Sequence, residues 1–302
     1  MPGPARAQPL HAMSIDVEDY FHVAALSGVI RPDQWDTLPS RVEQNTERLL
    51  FLFDKHQVKA TFFVLGWVAE RFPALIRKLS DHGHEIASHG YSHQLIYNQT
   101  QDVFREETLR SKALLEDIIG KSVEGYRAAS YSITRKSLWA LDILSDAGFT
   151  WDSSIFPIRH DRYGIPGSPS APYSIETVSG AIIREFPLTT AQIMGLSIPA
   201  AGGGYFRQFP YPVFRYLFCN ASGFGARPQM FYLHPWEIDP EQPRYNNASR
   251  FSRFRHYTNL DQCYDRLERL LGDFRFGTVS ESYNAYEPDK TLLRSDQMIR
   301  LA

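Results

Sequence analysis

Between residues 13 and 152 the chain alternates short apolar runs with helical periodicity, and this constrains its fold more than any other feature. Strand-like runs lie at 13–17, 58–65, 84–88, 123–127 and 149–152, with helical stretches at 40–56, 67–80, 100–119 and 134–147 between them. In the first helix Ser40 is a plausible N-cap, and Val42, Leu49, Leu50 and Phe53 recur at helical spacing. Gly83, Gly120 and Gly148 punctuate the later helices. Such alternation leads to a parallel sheet or barrel that carries its functional groups at the C-terminal ends of the strands.

After residue 152 the regularity breaks. Residues 161–181 are rich in Gly, Pro and Ser and read as a long surface loop with hairpin-like pieces, followed by a strand at 182–187. The glycine-rich turn at 201–207 lacks the spacing of a nucleotide-phosphate loop. A short helix at 211–220, a strand at 229–236 ending on a histidine, a helix at 260–271 and a strand at 276–279 follow, with a loosely ordered tail beyond. No repeat or break in composition divides the chain. A single domain over 1–302 is expected, its core at 13–240 and a C-terminal extension at 241–302 packed on it.

A net charge of −2 provides no electrostatic footprint for nucleic acid or an anionic membrane. No apolar run reaches the length of a membrane span, and residues 1–12 contain no apolar core of a signal peptide, so a cytoplasmic protein is expected. Met13 is a candidate alternative start. Cys219 and Cys263 are too few for a disulfide framework. Nothing in the sequence reports on oligomeric state.

The residues that carry chemistry sit at strand ends: Asp16, Glu18 and Asp19, then His89 and His93, Arg127, Asp152 and His234. Three acids within four residues repel one another unless a cation lies nearby. His89 and His93, four apart, can reach one cation, and Gly90 limits them to a single turn at the end of a strand. Two histidines and one carboxylate leave a zinc ion open to water, as catalytic sites do. A second carboxylate could take the water's proton, an arginine beside it would favour its charged form, and a histidine from another strand could protonate the leaving group. His11, His22, His82, His84, His160 and His256 have no such support and read as structural, His22 being the nearest to an exception because it follows the acids. Arg244, Arg250, Arg253 and Arg255 read first as a solvated loop and second as a clamp for an anionic or phosphate-linked glycan.

The motifs Ser-Ile-Asp-Val-Glu-Asp-Tyr-Phe, His-Gly-Tyr-Ser-His, Tyr-Arg-Ala-Ala-Ser-Tyr-Ser, Trp-Asp-Ser-Ser and Tyr-Leu-His-Pro-Trp-Glu resemble those of the polysaccharide deacetylases of the NodB homology type (carbohydrate esterase family 4), in the branch associated with exopolysaccharide loci. The resemblance runs from Ser14 to about Glu281. It implies an α/β fold, a distorted (β/α) barrel with fewer than eight strands, and a divalent metal, usually zinc. It also implies hydrolysis of an N-acetyl or O-acetyl group on a polysaccharide or its precursor. Carried over by position, it makes Asp16 the base, His89 and His93 metal ligands, Arg127 the arginine that tunes the base, and His234 the general acid oriented by Asp152. The backbone N–H near Ser130 would stabilise an oxyanion and Leu233 would line the acetyl-methyl pocket. Val17 stands where the family has its carboxylate ligand, leaving Glu18 or Asp19 for that role, and Ala129 stands where a proline is common. Hydrolysis of small cyclic amides, as in allantoinase-like relatives, and non-catalytic glycan binding are the competing readings.

Overall fold

In the computed structural model, which describes residues 9–160, 162–223, 227–286 and 291–299, the expected alternation is present as far as residue 152. It runs β1 (His11–Val17), α1 (Val42–His56), β2 (Thr61–Val64), α2 (Gly66–Arg71), α3 (Pro73–Asp81), β3 (Glu85–Ser88), α4 (Gln101–Ile119), β4 (Gly125–Tyr126), α5 (Trp139–Asp146) and β5 (Trp151–Asp152). Then come β6 (Tyr173–Glu176), β7 (Ile182–Glu185), β8 (Thr190–Ile193), β9 (Leu196–Pro199), α6 (Gly203–Gln208), α7 (Tyr211–Ala221) and β10 (Met230–Leu233). The C-terminal part holds α8 (Arg250–Tyr257), α9 (Leu260–Asp273), β11 (Phe276–Gly277), α10 (Val279–Asn284) and β12 (Leu292–Arg294).

Seven strands lie side by side in the order β10-β1-β2-β3-β4-β5-β7, every neighbouring pair parallel. This is the α/β barrel of fewer than eight strands that was expected. β6 runs antiparallel to β7 and carries β12 on its far side, while β11 pairs with the start of β1.

No strand ladder closes the sheet between β7 and β10. Instead the Thr189 hydroxyl accepts from the Met230 N–H and donates to the Met230 carbonyl, both at 2.8 Å. Next to it the Tyr232 N–H donates to the Ala201 carbonyl at 2.7 Å. Gly202, at φ 129°, brings its backbone so near that a Cβ there would lie 2.0 Å from the Tyr232 carbonyl oxygen. The barrel is therefore closed by a side chain and a close backbone approach, which accounts for its distortion.

Side chains alternate along each strand. Ile15, Val17, Phe62, Val64 and Leu233 pack under the helices in the larger core cluster. Ala12, Phe63, Ala87, Trp151 and Met230 fill the barrel interior with Phe156 and Phe186.

Several details differ from the sequence reading. β1 begins at His11, two residues before 13, because the His11 N–H donates to Arg275 and the Ala12 N–H to Gln229. The helix expected at 67–80 is two helices, divided where Pro73 can start a helix but not continue one. The β8–β9 hairpin was not foreseen; it turns on Met194 and Gly195, both at positive φ, as a two-residue hairpin loop requires. The glycine-rich segment at 201–207 leads into α6, and the tail expected to be loose supplies β12.

Candidate active site

β1 points Ser14 and Asp16 inward by strand alternation. The same alternation puts Glu18 on the inward side, and its N–H donates to the Asp16 carbonyl at 2.9 Å, closing a tight turn that holds it there. Glu18 therefore faces the same cleft. Its Oε1 lies 3.4 Å from His89 Nε2, 3.3 Å from His93 Nε2 and 3.4 Å from His234 Nε2.

His89 and His93 do not share a helical turn. They lie on an irregular loop after β3, in which Gly90 and His93 both have positive φ. The His89 Nδ1–H donates to the Arg127 carbonyl at 2.8 Å, which directs Nε2 at Glu18. That Nε2 is buried and has no hydrogen-bond partner. Ligand atoms of Glu18, His89 and His93 all lie within 4.8 Å of one another. A buried, unpartnered imidazole nitrogen facing a carboxylate and a second imidazole fits a divalent cation. Asp16, Glu18 and His234 also cluster within 4.8 Å, but Asp16 is already engaged by Arg127.

Asp19 points the other way. Its Oδ2 accepts from the Ser40 hydroxyl at 2.6 Å and from the Arg41 and Val42 N–H groups at 2.7 and 3.1 Å, capping α1 across the chain. This corrects two expectations at once: Asp19 is not placed beside His89 and His93, and Ser40 is not the cap. Burial raises the Asp19 pKa despite these hydrogen bonds.

Arg127, at the end of β4 and fully buried, donates from Nη1 to Asp16 Oδ1 at 2.6 Å and to Ser14 Oγ at 2.9 Å. Ser153 holds its other side, through its carbonyl on Nε and its hydroxyl on Nη2, and the guanidinium lies 3.9 Å over the Phe63 ring. The Tyr131 hydroxyl donates to Asp16 Oδ2 at 3.5 Å, and His234 Nε2 lies 3.9 Å from the same oxygen.

His234 follows β10 on the inward side, and its Nδ1–H donates to Glu237 Oε1 at 2.7 Å. Glu237 Oε2 accepts from Arg207 Nε at 2.6 Å, with both side chains buried. Trp236 stacks on His234 at 5.2 Å, and His256 backs Trp236 at 4.4 Å. Burial disfavours the charged imidazole of His234, but Glu18 and Glu237 outweigh it and hold its pKa well above the usual histidine range.

Asp152 does not reach His234. Its carboxylate accepts from the Ser154 hydroxyl at 2.6 Å and the Ser154 N–H at 3.1 Å, and Glu185 lies beside it. Burial raises both acids, Asp152 to about 6 and Glu185 well above the carboxylate range. The acid that orients His234 is Glu237, which the sequence reading passed over. A signal was present in His-Pro-Trp-Glu, since a Glu three residues after a helix N-cap reaches back to it, here from the turn Pro235–Ile238. Arg207 and Tyr131 carried no such signal.

Leu233 is also displaced from its expected place. It is fully buried in the core beneath the helices, and Tyr232 and His234 line the cleft on either side of it. Ser130 does line the cleft, and it and Tyr131 have φ of 51° and 55°, a strained pair of residues at a cleft wall. Ala129 does not leave this loop unsupported: Ser132 Oγ donates to the Ala129 carbonyl at 2.7 Å and the Ala128 N–H donates to Ser154 Oγ at 2.8 Å. His22 is enclosed by Phe21, Trp35 and Trp67 and accepts from the Asp19 N–H, which supports a structural role.

Residues 34–151 match the family profile described as polysaccharide deacetylase, and residues 153–284 match a domain of unknown function (DUF3473). The chain is 32% identical over 98 residues to a peptidoglycan-N-acetylglucosamine deacetylase of Bacillus cereus, covering 32% of this chain and 36% of the relative. It is 33% identical over 113 residues to a peptidoglycan deacetylase of Helicobacter pylori, covering 37% of this chain and 38% of the relative. The matched region thus spans little more than a third of the length of these curated relatives. A crystal structure from Mycobacterium smegmatis, provisionally assigned as a polysaccharide deacetylase, superposes with a TM-score of 0.60 at 19% identity over 99% of this chain and 92% of the other, which establishes the shared fold. Residues 34–151, a little more than a third of the chain, thus match the polysaccharide deacetylase family.

Proposed function

We propose that this protein is a metal-dependent deacetylase that hydrolyses acetyl groups, N-acetyl first and O-acetyl second, on a glycan or glycan precursor used in exopolysaccharide production. The observation that carries the reading is the convergence of Glu18, His89 and His93 beside the Asp16–Arg127 pair and His234. The relatives' names, which specify peptidoglycan, support a glycan substrate.

Glu18, His89 and His93 would hold a divalent cation, zinc by its donor set, whose contribution when bound is Lewis acidity toward an acyl carbonyl and a water molecule. Asp16 acts as general base. Arg127 fixes its Oδ1, leaving Oδ2 toward the cleft to accept the proton of the attacking water. His234 acts as general acid: with Nδ1–H committed to Glu237, its Nε2 faces the cleft and delivers a proton to the departing amine. The Ser130 backbone lies at the cleft wall, where an N–H can stabilise the developing oxyanion.

The test is acetate release from N-acetylglucosamine oligomers and from acetylated exopolysaccharide. Release should cease with chelator, return with zinc, and drop by about a thousandfold or more in Asp16→Asn and His89→Ala. Chelator-insensitive release, or full activity in His89→Ala, would sink the reading. Activity confined to small cyclic amides would replace it with the allantoinase-like alternative.

A further inference from the structure

The cleft above the proposed catalytic residues has a volume of about 480 Å³, and its charges are arranged in two tiers. At the floor lie the carboxylates of Asp16, Glu18 and Glu237, each already faced by a cationic or imidazole partner: Arg127, the histidines and Arg207. The lining also includes Arg162 and Arg255, both exposed. Among the described residues neither guanidinium has a carboxylate partner. Elsewhere on the surface, exposed arginines such as Arg31, Arg105 and Arg110 do meet acids. In a chain of net charge −2, two cleft guanidiniums with no carboxylate partner among the described residues stand against the average charge of the molecule.

Aromatic surface accompanies each of them. Phe251, on α8 with Arg255, is 68% exposed and lines the cleft, its ring 5.6 Å from the Arg255 guanidinium. Beside Arg162, His160 and Tyr163 also line the cleft, but the Tyr163 ring is already stacked on His160 at 3.8 Å and 7° and on Phe156 at 5.7 Å and 9°. A flat apolar face next to a guanidinium fork suits a pyranose ring that bears a carboxylate: the ring stacks and the carboxylate takes paired N–H donors.

We propose that Arg162 and Arg255, with Phe251 as the stacking face, form a subsite for an anionic sugar, a uronic acid residue flanking the acetylated one. The assignment deepens the glycan reading above and rests on it. It directs the enzyme toward acidic polysaccharides rather than neutral amino-sugar polymers.

Binding of a short oligogalacturonate to the full-length protein, measured by calorimetry at low and high salt, tests the subsite without turnover. The unmodified protein should bind it more tightly than a neutral xylo-oligosaccharide, with affinity declining as salt screens the contact. Arg162→Ala and Arg255→Ala should each weaken binding by roughly ten- to a hundredfold, the effect of losing one charge-assisted pair. Arg253→Ala, on the same helix but outside the cleft lining, should leave it unchanged. Equal affinity for the neutral oligomer would overturn the proposal. So would equal loss in Arg253→Ala, competition by inorganic phosphate but not by galacturonate, or binding only to phosphatidylglycerol vesicles. Intact oligogalacturonate binding with no acetate release from any glycan would overturn the deacetylase reading and leave the subsite standing. Acetate release without oligogalacturonate binding would do the reverse.

Discussion

Glu18 and Asp19 are adjacent in the chain, yet the turn closed by the Glu18 N–H onto the Asp16 carbonyl sends their side chains in opposite directions. Glu18 meets three imidazoles, and Asp19 satisfies the otherwise unpaired N–H groups at the start of α1. Glu18→Gln should therefore abolish retention of zinc through dialysis with little change in apo-protein stability. Asp19→Ala should retain zinc but lose about 1–2 kcal/mol in denaturant unfolding, the usual cost of a lost N-cap. The reverse pattern would exchange their roles. Glu237 invites a second comparison. Glu237→Gln keeps the shape but weakens the hold on the His234 Nδ1–H, so kcat should drop by roughly ten- to a hundredfold with KM and zinc content unchanged. Asp152→Asn, which has no contact with His234, should leave KM and zinc content likewise unchanged and affect kcat less.

At the scale of elements, the weak place is the seam between β7 and β10. One hydroxyl there does work that a strand ladder does elsewhere in the barrel, both accepting from and donating to Met230. Thr189→Val preserves shape but leaves a buried N–H and a buried carbonyl unpaired. It should cost about 1–3 kcal/mol in urea unfolding, and exchange of the Met230 amide should accelerate. An unchanged midpoint would show that the seam is held by packing alone. Position along a strand explains another outcome: Leu233 and His234 are neighbours, so a period of two sends one beneath the helices and the other into the cleft.

For the whole molecule, the pH response follows from histidines held neutral by burial. Burial pushes His11 and His84 down to about 4 and His256 down to about 3. Their folded pKa values lie below the unfolded value, so the unfolded chain binds more protons between those limits. Their contribution to stability is full above about pH 6.5 and is lost as pH falls. Asp152 acts in the opposite sense: burial raises it to about 6, so its contribution is present below its unfolded pKa and is lost as pH rises through about 6. Glu185 and His234, both held above their ordinary ranges, act in the same sense as Asp152, so the histidine contribution is read by comparing single variants rather than from the net curve. Relative to the unmodified protein, His256→Gln should gain up to roughly 1.4 kcal/mol per pH unit as pH falls from about 6.5 to about 5, read from urea midpoints across the range.

The sequence by itself determined the β/α alternation through residue 152, because apolar periodicity and glycine or proline stops are local properties of the chain. It also indicated Asp16, His89, His93, Arg127 and His234, since motif spacing at strand ends survives whatever the loops do. Only the tertiary structure turned Glu18 rather than Asp19 toward the histidines, paired His234 with Glu237 rather than Asp152, and turned Leu233 away from the cleft. Each of these depends on where a side chain points after a turn or which distant residue meets it. Arg207 reaches Glu237 across 30 residues and Asp19 caps α1 from 23 residues away. Such pairings are decided by the competition for buried hydrogen-bond partners once the barrel has closed, and no local pattern records them.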